Sequence, residues 1–254
     1  MNFTSLISAK TKFSKFFSYN VTKAGMLMCV FAFTFSFIEL LIRICFQTEV
    51  IARFLALSRE TPWGIFTSIL IHGDFNHLFL NLFSFTLLFA ILLALGWGME
   101  KFASRTVVLL NMRDVGKGFG YVVFLSILVS GIITYYHILA NVIGKPCVGI
   151  SGVNYAMEGY VIGLLVILLV YAVYLTVKLR SRIKHIVKEP KKIALLVISL
   201  IAIVLGSSYL LHQILNVKVF LVIEPGVNYV AHLSGFLTGL SVSIFLMIKR
   251  RHDT

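Results

Sequence analysis

Gly149-Ile150-Ser151-Gly152-Val153-Asn154-Tyr155-Ala156 opens an apolar run that continues to about position 177. Some 20 apolar residues suffice for a helix to cross a hydrocarbon core of roughly 30 Å. Ser151 therefore stands just inside a bilayer, at the N-terminus of a spanning helix and between two glycines. A lone hydroxyl there is a poor structural choice and a plausible nucleophile, provided other spans bring a base and an oxyanion site to the same depth.

Five further apolar runs accompany it, giving spans at about 24–46, 76–96, 118–140, 148–177, 193–215 and 227–248. The composition agrees: 59% of the 254 residues are hydrophobic and 13% are charged, against about 25% charged in soluble domains. The expected fold is an all-α polytopic membrane protein, a bundle of six transmembrane helices. Residues 1–23 form a basic N-terminus, 24–248 the membrane domain, and 249–254 a basic tail.

The net charge of +13 first suggests nucleic acid, but its distribution points elsewhere. With a cytoplasmic N-terminus, eighteen of the 23 Lys and Arg fall in inner segments. They cluster at Lys10–Lys23, Lys101–Lys117, Lys178–Lys192 and Lys249–Arg251. Four fall outside (Arg53, Arg59, Lys145, Lys218), and Arg43 lies within a span. The positive-inside rule thus places both termini in the cytoplasm. The basic surplus reads as topology and contact with anionic lipid, with no nucleic-acid face. Cys29, Cys45 and Cys147 are odd in number and lack CxxC spacing, which speaks against a disulfide framework. The first apolar stretch is too long for a signal-peptide core and reads as a retained anchor.

Polar residues inside spans are costly and need a reason. Glu39 and Arg43, four apart on one helical face, can neutralise each other. Residues 47–75, with Thr61-Pro62-Trp63-Gly64, form an outer connection longer than a turn requires, and Trp63 suits the membrane interface. His77 and Asn81 share a face in the first turns of the second span, where an interhelical hydrogen bond is the plain reading. His72 and His77 are five apart, which does not align two metal ligands on a helix, and no metal or other cofactor is expected. Gly152, Ala156, Gly159 and Gly163 form a small-residue stripe on the fourth span, as do Gly235 and Gly239 on the sixth, where helix backbones can approach closely. Glu158 lies about 10 Å deeper than Ser151 and suits a structural or gating role.

Topology brings these residues to one level. The second, fourth and sixth spans all start outside, so His77, Asn81, Ser151 and His232 lie within about 8 Å of one depth in the outer leaflet. Unrelated structural hydrogen bonds have no reason to agree in depth. The residue types suit one reaction. A serine hydroxyl needs an adjacent base, and histidine is the usual one. The Ser151 backbone N–H at a helix N-terminus, with the His77 and Asn81 side chains, can donate to an oxyanion. No carboxylate is placed to orient His232, so a Ser–His dyad is expected, with Tyr155 packing on the imidazole.

The segments His77-Leu78-Phe79-Leu80-Asn81, Gly149-Ile150-Ser151-Gly152 with Tyr155, and Ala231-His232-Leu233-Ser234-Gly235 resemble those of the rhomboid intramembrane serine proteases. Gly96-Trp97-Gly98-Met99-Glu100 is similar to that family's GxxxE, and the resemblance covers roughly 60–245. It implies Ser151 as nucleophile, His232 as general base, and an oxyanion hole of His77 and Asn81. It also implies a six-helix bundle around a water-filled cavity open to the outer side, cutting transmembrane proteins whose helix is locally unstable. Two positions depart from the pattern. Gly64 follows Trp63 where the family often has arginine, and Glu158 stands where an uncharged residue is expected. A catalytically silent relative that binds membrane proteins is the competing reading. A small transporter would want repeat symmetry or broken helices, and neither is visible.

Overall fold

The computed structural model describes residues 14–102, 110–140, 149–178 and 229–252. Its elements are helices α1 (Asn20–Phe46), α2 (Val50–Leu55), α3 (Gly64–Thr67), a 3₁₀ turn (Ser68–Leu70), α4 (Phe75–Phe102), α5 (Met112–Ala140), α6 (Ser151–Lys178) and α7 (Tyr229–His252). Five of them (α1, α4, α5, α6 and α7) are long and apolar enough to cross a membrane. The expectation of an all-α polytopic bundle is met by these five. The remaining expected span, 193–215, lies outside the described residues.

Two helices begin earlier than hydropathy alone places them. Helix α5 starts at Met112 because Asn111 and Asp114 cap it reciprocally. The Asp114 N–H donates to Asn111 Oδ1 (3.0 Å) and the Asn111 N–H to Asp114 Oδ2 (3.2 Å), which satisfies donors that a helix start leaves unpaired. Helix α1 starts at Asn20, and the residues before it are already packed. Phe16 is fully buried among Phe17, Phe89 and Phe119, and Lys15 pairs with Glu100 at 2.6 Å. The described residues just before residue 24 are thus packed against α4 and α5.

Among the five described spans α6 is the most enclosed, with α4, α5 and α7 packed on it and α1 packed on α5. Small residues decide its closest contact. A Cβ added to Gly235 would collide with the Gly152 carbonyl oxygen, one on Gly239 with that of Ala156, and one on Gly159 with that of Phe236. The two stripes read from the sequence therefore face each other, and α6 and α7 touch backbone to backbone. Between two helices in lipid, close van der Waals contact of this kind replaces the hydrophobic drive available in water.

The connection between α1 and α4 is held at several points. Trp63 donates from Nε1 to the Phe54 carbonyl (2.7 Å) and lies against the Phe54 ring, centroids 5.4 Å apart. Arg59 donates to the carbonyls of Ile138 and Leu139, both at 3.2 Å, and so ties the connection to the C-terminal end of α5. Gly64 has a steric cause: a Cβ there would sit 2.5 Å from the Ala56 carbonyl oxygen and 2.6 Å from the Leu57 nitrogen. No side chain fits at position 64, and Arg59 and Arg43 tie the connection to α5 and α1.

Candidate active site

The site is assembled from the N-termini of α4, α6 and α7. Glu39 and Arg43 pair at 2.9 Å, as their spacing suggests, but the guanidinium also reaches across to the chain before α4. It donates to the His72 carbonyl at 2.6 Å and to the Gly73 carbonyl at 3.2 Å. Asp74 then caps α4, its Oδ1 accepting the His77 N–H at 2.7 Å, so His77 enters on the first turn. His72 is buried beneath it, with Nδ1 at 2.9 Å from Ser36 Oγ, its ring stacked on Phe33, and its edge toward His77. Burial and the neighbouring His77 push the His72 pKa down to about 3, so this imidazole is neutral at physiological pH.

Helix α6 starts at Ser151, with the Ile150 carbonyl accepting the N–H groups of Val153 (2.9 Å) and Asn154 (3.3 Å). Ser151 is thus the first helical residue, and its own N–H is one of the donors that a helix start leaves without an intrahelical partner. Gly149 makes the approach to this start possible. Its φ of 104° is one that side-chain-bearing residues rarely adopt. A Cβ there would also lie 3.0 Å from Cε1 and 3.4 Å from Nε2 of His77. The Gly149 N–H is fixed by the Ser68 carbonyl at 2.9 Å. His77 is therefore packed on the backbone two residues before the serine.

His232, on the first turn of α7, places Nε2 at 3.1 Å from Ser151 Oγ. Its ring stacks on Tyr155, centroids 4.1 Å apart and planes inclined by 24°. Nδ1 is buried and has no hydrogen-bond partner among the described residues. The imidazole is thus held by an aromatic face and by the tight α6–α7 contact at Gly152 and Gly235. Asn81, four residues beyond His77, is buried and accepts from Asn154 Nδ2 at its backbone carbonyl (2.9 Å) and at Oδ1 (3.0 Å). A cavity of about 40 Å³ beside Ser151 is lined by Ser68, Ser130, Gly149 and Gly152 among others, enough for one water molecule.

The geometry brings Ser151, His232 and Tyr155 into direct contact and sets His77 against Gly149. Three participants carry no role in the sequence reading. Asn154 had a signal, since an amide within a span demands a partner. Asp74 is a common cap type at the residue before α4. Ser68 contributes a backbone carbonyl, which no side-chain pattern reveals. Glu158 is buried on α6, one turn below Asn154.

Residues 59–249 match the family model of the rhomboid domain. Among curated proteins and among solved structures, none matches the chain.

Proposed function

The chain belongs to the rhomboid family, and from that premise we propose that it is an intramembrane serine endopeptidase hydrolysing peptide bonds in or near transmembrane segments of other membrane proteins. The observation that carries this reading is the 3.1 Å approach of His232 Nε2 to Ser151 Oγ at the mouth of α6. A hydroxyl and an imidazole on different helices at that distance are poised for general-base activation.

In this reading His232 carries its proton on Nδ1 and accepts the Ser151 proton at Nε2 as Oγ attacks the scissile carbonyl. The imidazolium returns that proton to the leaving amine, and water repeats the sequence on the acyl-enzyme. Tyr155 does what a carboxylate does in a triad, keeping the ring in its plane, though without offering it charge. The oxyanion is met by the Ser151 N–H, the His77 ring and the Asn81 amide, which are fixed before substrate arrives and so cost little reorganisation. Gly149 admits His77, while Gly152 and Gly235 let the two reacting helices meet. The basic clusters support cytoplasmic termini with the site opening to the outer side of the membrane.

The test is cleavage of reporters carrying a single transmembrane segment, by the wild type and by Ser151→Ala and His232→Ala. Each substitution is expected to lower kcat by at least about 10³-fold. Cleavage that survives Ser151→Ala defeats the assignment. A wild type that binds the reporters and cuts none of a varied panel identifies a silent relative instead.

A further inference from the structure

Asn154 lies buried on α6 between Ser151 and Glu158, and its two side-chain hydrogen bonds run to one residue. Nδ2 lies 2.9 Å from the backbone carbonyl oxygen of Asn81 and 3.0 Å from its Oδ1. The backbone carbonyl can only accept, so the atom of Asn154 facing it must be the nitrogen. That same nitrogen faces the side-chain amide of Asn81, which must present oxygen to it, because two NH₂ groups at that distance repel. The orientation of the Asn81 amide is thereby dictated from the neighbouring helix. Its Nδ2 is turned away from Asn154, buried and without a partner among the described residues.

A buried amide NH₂ without an acceptor is costly and needs a use. Among the described residues, Asn154 is the one hydrogen-bond partner of the Asn81 side-chain amide; the flipped orientation would offer an oxygen lone pair where a donor is wanted. We propose that Asn154 is a positioning residue of the hydrolytic site, which locks the Asn81 amide with its NH₂ free to donate to the oxyanion. This rests on the protease reading above. Asn154 touches neither the nucleophile nor the substrate in this scheme; it acts through Asn81 alone.

The experiment is steady-state cleavage of one transmembrane reporter by the full-length protein in liposomes, comparing wild type, Asn154→Leu, Asn81→Ala and the double variant. Asn81→Ala is expected to lower kcat by about 10²-fold, the usual effect of deleting one oxyanion donor. Asn154→Leu, nearly isosteric, is expected to lower kcat by about 10-fold with KM within roughly twofold of wild type. The double variant should match Asn81→Ala, because a residue acting through Asn81 has nothing left to orient. Asn154→Ala is carried in parallel with thermal melts, so that misfolding of one variant is separable from loss of orientation. Wild-type kcat in Asn154→Leu overturns the inference and leaves the protease reading intact. So does a further tenfold loss in the double variant beyond Asn81→Ala. A wild type that cuts nothing removes the premise and the inference with it.

Discussion

Gly235→Ala tests whether the close contact of α6 and α7 sets the reacting geometry. The methyl group would point at the Gly152 carbonyl oxygen, with the Gly152 carbonyl carbon 3.1 Å away. A carbon and a carbonyl oxygen rest at about 3.3 Å or more, and backbone cannot rotate aside as a side chain can. Relief requires the helices to separate locally by roughly 1 Å, an overpacking cost of about 1–3 kcal/mol. Ser151 and Gly152 are adjacent on α6, and His232 lies less than one turn before Gly235 on α7, so the separation falls on the reacting pair. The Ser151–His232 distance of 3.1 Å would open toward about 4 Å, beyond hydrogen-bond reach. General-base assistance is worth about 10²–10⁴-fold, so kcat should drop at least about 100-fold in a protein that still folds. The assay is reporter cleavage alongside a thermal melt, with Gly163→Ala as the comparison. There the added methyl also crowds α7, with the Ser243 Cβ 2.7 Å away, but the strain falls three turns below the serine, so stability should drop while kcat is largely kept. Gly235→Ala with wild-type kcat and melting temperature would refute the argument that backbone contact sets the dyad distance.

Gly149→Ala should hurt stability and activity by separate routes. The left-handed φ costs about 1–2 kcal/mol for a residue with a Cβ. The methyl's 3.0 Å approach to His77 displaces a proposed oxyanion donor, so kcat is expected to fall by about 10-fold or more; unchanged turnover would separate His77 from the oxyanion role. His72 supplies a pH dependence. Its folded pKa of about 3 lies below the ordinary 6.5, so the unfolded chain binds a proton that the folded protein refuses. Its contribution is at its full value above pH 6.5 and is lost as pH falls toward 3, at up to about 1.4 kcal/mol per pH unit. Thermal melts of wild type should therefore fall more steeply with acid over that window than those of His72→Gln; parallel curves would show that His72 is not kept neutral by the fold.

Much of the candidate site was legible because membrane insertion imposes strong rules on sequence. A polar side chain within an apolar run has few excuses, so Ser151, His77, Asn81 and His232 stood out individually. Charge asymmetry then aligned their depths. The glycine stripes also announced themselves, since Gly is a poor helix former unless a neighbour needs the space. Asn154 was equally visible as an amide in a span, but its partner was not, because 73 residues separate it from Asn81. Arg43 illustrates the same limit. Its pairing with Glu39 follows from i,i+4 spacing, whereas its bonds to the His72 and Gly73 carbonyls depend on where the chain returns.

By itself, the sequence marked apolar segments long enough to cross a bilayer, polar residue types within them that suit acyl-transfer chemistry, and a charge asymmetry that predicts one depth for them. Those follow from local length, hydropathy and charge. Tertiary structure alone decided that Ser68 holds Gly149, that Asn154 donates to Asn81, and that Gly64 has no room for a side chain. The reason is physical. A spanning helix is apolar on nearly every side, so periodicity does not mark which face meets which neighbour, and backbone groups that fix the site carry no signature in residue type.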